Sequence, residues 1–186
     1  KMEDLLEDVA KIGIPRIRFV TSHPWDFTDS MVEVMKKYDN IMPAIHLPVQ
    51  SGSNRVLKLM GRRYTKEKYL ELFHKLKEIP NIAISTDIIV GFPGETDELF
   101  QKSLEFAKSM GFMKMHVFPY SKRAGTPAAK MTNQIDETVK KQRVHLMQKM
   151  AEQSATEFYQ RFLGRELEVL FEQEQDGYME GLTSNY

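Results

Sequence analysis

Each candidate strand carries a polar side chain amid apolar ones: Arg18 in RIRFV, His46 in AIHLPV, Asp87 in AISTDIIV and His116 in FMKMHVFPY. The packed core of an ordinary eight-stranded barrel is filled mainly by Val, Ile and Leu. A polar residue repeated in the middle of each candidate strand therefore predicts a hydrated or ligand-filled lumen. A single histidine of this kind is more simply a satisfied core group. Only the four together point to a lumen, and at this level both readings stay open. The richest single stretch is Thr86–Thr96, TDIIVGFPGET. It reads as a buried strand holding one carboxylate, then a glycine-proline turn, then a helix start. α/β folds bind polar ligands at the carboxyl ends of their parallel strands.

The segments after each strand carry further candidates. The first runs into Thr21-Ser22-His23-Pro24-Trp25 and the second ends in Gln50-Ser51-Gly52-Ser53, whose small residues let backbone N–H groups approach a ligand. Arg62 and Arg63 precede the next helix, where a guanidinium can fork onto a carboxylate or phosphate. The third strand continues into Gly91, Pro93, Gly94 and Glu95. The fourth leads through Phe118 and Tyr120 into a basic loop with Lys122 and Arg123. Each is commonplace alone; a Ser-Gly-Ser is usually a turn and a surface arginine is usually solvated. Their joint placement at successive strand ends is the informative feature.

Other chemistries find little support. The five histidines lack the HExxH spacing of a zinc hydrolase, and there is no GxSxG elbow or Walker loop. With 26 basic and 26 acidic residues, no overall field draws the chain to nucleic acid or membrane. The absence of cysteine rules out disulfides and thiolate-held zinc or iron–sulfur centres within the chain. No apolar run approaches the roughly 18 residues of a membrane span, and nothing resembles a signal peptide.

The elements that must position these residues follow from periodicity. Strands are expected at Arg16–Val20, Ala44–Val49, Ala83–Val90 and Phe112–Tyr120. Helices are expected near Asp29–Tyr38, Lys66–Glu78 and Asp97–Met110, the last capped by Thr96. This alternation predicts βα units and a parallel sheet. A long helix follows over about Asp136–Phe162, with Val139, Leu146, Met147, Met150, Ala155, Phe158 and Phe162 as its apolar face. From Leu163-Gly164 the pattern becomes all-β, with strands Arg165–Gln173 and Tyr178–Leu182 around a Gln175-Asp176-Gly177 turn. Residues 1–11 have helical periodicity without a preceding cap, and the chain stops in strand-like sequence. Both ends read as those of a fragment.

In order, RIRFVTSHP, HLPVQSGSNRVLKLMGRRYT, STDIIVGFPGET and FPYSKRAGTPAA closely resemble the radical S-adenosylmethionine methylthiotransferases, especially their MiaB-type tRNA branch. The resemblance spans essentially the whole chain. It implies the later part of a partial (β/α)6 TIM-like barrel over residues 1–163, its strands being the third to sixth. Residues 164–186 would then begin a small OB-like TRAM barrel that grips RNA. It further implies a cytoplasmic enzyme that adds a methylthio group to carbon 2 of isopentenylated adenosine in the tRNA anticodon stem-loop. By the same resemblance Gln50 and Asp87, with Ser51 and Ser53, bind the ribose or amino-acid part of S-adenosylmethionine, and Arg62 pairs with its carboxylate. Gly91, Pro93, Gly94 and Glu95 shape the adenine end, Phe118 and Tyr120 line the floor, and His23 and Arg123 face the substrate.

One departure matters. The CxxxCxxC loop that holds the radical-generating cluster in this family is missing, as are the cysteines of its auxiliary cluster. The two 4Fe-4S clusters of the parent enzyme thus have no ligands in this chain, and the fragment is expected to be inert and to self-associate through exposed sheet edges near Arg16–Val20. Competing readings are a threonylcarbamoyladenosine or ribosomal-protein methylthiotransferase, a non-radical barrel enzyme, and a pure RNA-binding module.

Overall fold

A computed structural model describes residues 1–20 and 23–186; Thr21 and Ser22, which head the first strand-end loop, lie outside the described residues. Helix α1 (Met2–Lys11) buries Leu6 and Ala10 and packs against α2 (Asp29–Lys37), which Thr28 caps by accepting from the Met31 N–H. Three parallel strands follow: β1 (Ala44–His46), β2 (Ala83–Val90) and β3 (Lys114–Pro119), in the spatial order β1-β2-β3. The crossovers are α3 (Asn54–Leu59) and α4 (Lys66–Lys77) between β1 and β2, and α5 (Asp97–Met110) between β2 and β3.

The expected strand at Arg16–Val20 reduces to one parallel bridge between Ile17 and Ile41. Its ladder comprises Ile17 N–H to Asn40 O and Met42 N–H to Ile17 O. It does not extend, because the next donor on this side, the Ala44 N–H, turns back onto Met42 O. The four expected strands are therefore three strands and a bridge. The second is also shorter than Ala44–Val49. Beyond Leu47 the Thr86 side chain takes the place of the backbone ladder, donating to Leu47 O and accepting from the Val49 N–H. Pairing resumes at Gln50, whose N–H donates to Asp87 O while its carbonyl accepts from Ile89.

The two faces of β2 divide cleanly. Ile84, Thr86, Ile88 and Val90 are buried under the helices, whereas Ser85, Asp87 and Ile89 are half-buried on the opposite, concave face. Parallel register sets Asp87 beside His116 and His46 beside Ser85. The helix-side core is contiguous and aromatic-rich, with Tyr69, Phe73, Phe106 and Phe112 in mutual ring contact.

Helix α5 matches its expected bounds. Thr96 caps it by accepting from Leu99 N–H, and Gly111 closes it at φ 62°, in the left-handed region that favours glycine. The short α3 was not anticipated. The long helix α6 (Glu137–Gln160) is capped by Asp136; its expected apolar face is buried at Met147 and Phe158 and partly buried at Val139, Met150, Ala155 and Phe162. Its buried residues are Lys140, Arg143, Met147, Ser154 and Phe158, while Leu146 is 48% exposed.

After α6 comes the antiparallel hairpin β4 (Val169–Gln175) and β5 (Tyr178–Thr183). Asp176 and Gly177 both have positive φ, the requirement of a two-residue hairpin turn whose twist matches its strands. The hairpin docks through arginine rather than an apolar core. Arg16 donates to Leu182 O and pairs with Glu168, and Arg18 donates to Thr183 O. No helix of the described residues is long and apolar enough to cross a membrane.

Candidate functional site

The concave face of the sheet carries a cavity of about 640 Å³, and Arg18, His46, Asp87 and His116 all line it. The one-polar-residue-per-strand pattern thus converges on a single space, because parallel pairing keeps side chains of equal register on the same face. His46 is oriented from behind: its Nδ1 lies 2.9 Å from Ser85 Oγ, and its Nε2 lies 3.4 Å from Asp87 Oδ2. The His116 ring sits 5.9 Å from that of His46, at 73° to it. Arg18 is directed toward the hairpin, its guanidinium 4.1 Å from the centre of the Tyr186 ring. Phe118, nearly half exposed, forms an aromatic wall of the same cavity.

The strand-end segments sort into two kinds. In the first, side chains are committed to holding the backbone. Ser51 Oγ sits 3.0 Å from Ser103 Oγ and accepts from the Ser53 N–H, which locks the Gln50–Ser53 turn onto α5. Gly52 has to be glycine there, since a Cβ would stand 2.6 Å from that of Phe106. Gln50 itself adopts φ 67°, uncommon for a residue with a side chain. Both Gln50 and Ser53 are buried.

Gly91–Glu95 belongs to the same kind. Glu95 is 1% exposed. Its Oε2 accepts from the Gly91 N–H at 2.6 Å and from Arg143 Nη1 at 2.9 Å, and Arg143 also donates to the Glu95 carbonyl. Burial pushes the Glu95 carboxyl above the usual range, opposed by the Gly91 N–H and by Arg143. Gly91 at φ 72° lies against the Lys140 side chain, and Gly94 N–H donates to Asn133 O. Pro93 is buried within the turn. α6 therefore clamps this turn with Lys140 and Arg143, neither of which was singled out from sequence. The available signal was two basic residues at i and i+3 in register with Met147 on one helix face.

Polar atoms withdrawn from solvent with no protein partner occur in the first kind, at Glu95 Oε1 and Arg143 Nε, and characterise the second. In the second they include Arg62 Nε, His23 Nδ1 and the Tyr120 hydroxyl. Tyr120 packs edge-on against Phe92, with the Lys140 ammonium 5.4 Å from its ring centre. His23 stacks on Trp25 at 4.4 Å and 7°, and Arg63 lies 5.8 Å from the Trp25 ring centre. Beneath them Tyr64 donates to Val49 O, and burial pushes its hydroxyl up to about 12. Arg123 is exposed; its carbonyl accepts from Thr126. The geometry thus joins Arg18, His46, Asp87, His116 and Phe118 in one cavity and leaves Gly91–Glu95 sealed beneath α6.

This architecture is that of an α/β fold built on a three-stranded parallel sheet, and residues 1–107 match the family model of the radical SAM superfamily. The chain belongs to that superfamily. Among solved structures it is similar to the radical SAM coproporphyrinogen III oxidase of Escherichia coli, with a TM-score of 0.65 and 18% identity over 81% of this chain and 36% of that one. It also resembles the Elp3 protein of Methanocaldococcus infernus, at TM-score 0.54 and 19% identity over 73% of this chain and 32% of that one. Both likenesses bear on fold alone. In sequence it is 51% identical over 170 residues to the tRNA-2-methylthio-N(6)-dimethylallyladenosine synthase of Staphylococcus haemolyticus, covering 91% of this chain and 33% of that protein. It is 49% identical over 185 residues to the protein of the same name from Staphylococcus saprophyticus, covering 97% and 36%. The chain thus spans about a third of the length of the curated relatives it matches.

Proposed function

We propose that this chain is the later part of the catalytic barrel of a tRNA methylthiotransferase that adds a methylthio group to carbon 2 of isopentenylated adenosine. The observation that carries the reading is identity near one half, over more than nine-tenths of the chain, to proteins named for that dimethylallyladenosine product. The same names disfavour the threonylcarbamoyladenosine, ribosomal-protein and non-radical readings.

The residues present fit S-adenosylmethionine. Its ammonium and ribose hydroxyls need acceptors and its carboxylate needs a guanidinium. Asp87 offers a half-buried carboxylate to the cavity, and Arg62 holds a desolvated Nε that has no protein partner. In this reading Asp87 and the Gln50–Ser53 turn, with Ser51 and Ser53, hold the ribose and amino-acid part, and Arg62 pairs with the carboxylate. Phe118 and Tyr120 form the aromatic floor, and Gly91, Pro93, Gly94 and Glu95 fix the backbone at the adenine end. When bound beside a reduced iron–sulfur cluster, the cofactor supplies one-electron chemistry at an unactivated C–H bond. No residue of this chain fits the cluster itself, because none is a cysteine; the parent enzyme's two 4Fe-4S clusters belong to segments outside it.

For the anticodon stem-loop, His23 on its Trp25 stack offers a π surface, and Arg123 with Lys122 offers phosphate contacts. The hairpin is the start of the TRAM unit in this reading. Its own charge is acidic, with Glu166, Glu168, Glu172, Glu174, Asp176 and Glu180 against Arg165. RNA contact from residues 164–186 would therefore be through aromatic and backbone groups rather than cations. A cytoplasmic setting and self-association of the isolated chain through its sheet edges complete the proposal.

The test uses the full-length protein carrying Asp87→Ala or Arg62→Ala. S-adenosylmethionine binding by equilibrium dialysis should weaken at least tenfold in each, with unchanged circular dichroism. Wild-type binding in both variants would sink these assignments. Nucleosides from a strain lacking the gene should retain isopentenyladenosine and lose its 2-methylthio derivative; a persistent methylthio product would count against the tRNA activity.

A further inference from the structure

We infer that His46, Asp87 and His116 form a divalent transition-metal site in the barrel lumen. Each offers one ligand atom, and these atoms all lie within 4.8 Å of one another on half-buried side chains. Two imidazoles and one carboxylate on one side of an ion, with the remaining positions open, are a donor set suited to zinc and to iron, cobalt or nickel in their divalent states.

Three features separate this cluster from a chance meeting of polar groups. The first is spacing. Metal–nitrogen and metal–oxygen bonds of about 2.0–2.1 Å at tetrahedral angles place neighbouring donor atoms about 3.3–3.4 Å apart. His46 Nε2 and Asp87 Oδ2 are 3.4 Å apart, longer than a good hydrogen bond and matched to two ligands of one ion. The second is orientation from behind: Ser85 Oγ lies 2.9 Å from His46 Nδ1, which fixes the ring so that Nε2 faces Asp87. Metal-bound histidines characteristically have such a partner on the far nitrogen. The third is scaffold. Asp87 and His116 are register partners on adjacent strands, and His46 pairs with Ser85 one side-chain layer away. Backbone ladders rather than loops hold all three.

The cavity leaves room for water or a small ligand at the open positions. Arg18, the guanidinium that shares it, is engaged by the Thr183 carbonyl and the Tyr186 ring. The site does not rest on the function proposed above, although both readings draw on Asp87, and the metal alone tests it on this chain.

The experiment is titration of the 186-residue chain with Zn²⁺ by calorimetry and with Co²⁺ by visible absorption. One equivalent should bind at micromolar concentration, and Co²⁺ should show the intense d–d bands of a four- or five-coordinate ion. His46→Gln and His116→Gln should each weaken binding at least tenfold, and Asp87→Asn by a similar factor. His145→Gln, at an exposed position on α6, should leave it unchanged. No stoichiometric binding below millimolar metal, or equal affinity in both lumen-histidine variants and wild type, overturns the site. Should the histidine variants lose their fold by circular dichroism, Ser85→Ala decides the matter. It removes only the group behind His46, so binding should weaken severalfold, and undiminished affinity in a folded Ser85→Ala chain also overturns the proposal.

Discussion

Two clusters of charged residues lie only a few residues apart in sequence and are used in opposite ways. At Gly91–Glu95 the carboxylate is nearly sealed, matched by a buried guanidinium and a backbone N–H, and its chemistry is spent on holding a turn against α6. At His46, Asp87 and His116 the groups are half-buried, line a cavity and have their donor atoms within 4.8 Å of one another. A charge removed from water has to be compensated by the protein, and removal of its partner is costly. A charge left at the wall of a cavity is compensated by water or by what binds there. Burial together with partner count, more than residue type, separates the structural carboxylate from the one suited to a ligand.

The comparison can be broken by substitution. Arg143→Ala should have the largest effect, destabilising the chain by about 3–5 kcal/mol because Glu95 is left buried and unpaired, as read from urea unfolding. A loss below about 1 kcal/mol would mean that the turn does not depend on α6. Gly91→Ala comes next, at about 1–3 kcal/mol. It forces a side-chain residue to φ 72° and drives its Cβ to 2.5 Å from Lys140 Cγ. Lys140→Ala in the same chain should recover part of that loss, and no recovery would show that backbone strain alone is responsible.

Glu95→Gln should cost only about 1 kcal/mol, since the amide oxygen can accept from Gly91 and Arg143 as the carboxylate does. Its pH dependence is the sharper reading. The folded carboxyl is raised by burial, so between that raised value and the unfolded value near 4.5 the folded state holds more protons. Wild type should therefore gain stability relative to Glu95→Gln as pH falls through that window from neutral. Urea midpoints of both chains at pH 7 and pH 5 check the sign, and an opposite trend would mean that Arg143 outweighs burial. The smallest change in stability should come from Asp87→Asn, within about 1 kcal/mol, because the group is half exposed. A loss as large as that for Arg143→Ala would erase the distinction between the two clusters.

Much of this was legible in the chain. Thr96 before an acidic first turn and Gly111 after the last apolar residue define α5 to the residue, because capping is a local matter of orphan N–H and C=O groups. The polar residues carried by each apolar run anticipated a shared cavity, since strand side chains alternate in direction. What was missed involved partners distant in sequence. The run Arg16–Val20 has strand-like composition, yet its ladder ends at the turned-back Ala44 N–H. The apolar stripe of α6 is buried at Met147 and Phe158, but Lys140 and Arg143 are buried on the same helix, for which hydrophobicity gives no reason until Glu95 and Tyr120 are set opposite them.

By itself the sequence determined the alternation of strand and helix, the caps, the parallel class and the set of polar residues available for chemistry. Those depend on side-chain periodicity and on hydrogen bonds spanning a few residues. Only the tertiary structure decided which carboxylate is buried against a guanidinium and which faces a cavity. It also decided that the donor atoms of His46 and His116, 70 positions apart in the numbering, lie within 4.8 Å of each other and of Asp87. Strand register and helix packing fix those outcomes, and both are set by contacts between residues far apart along the chain.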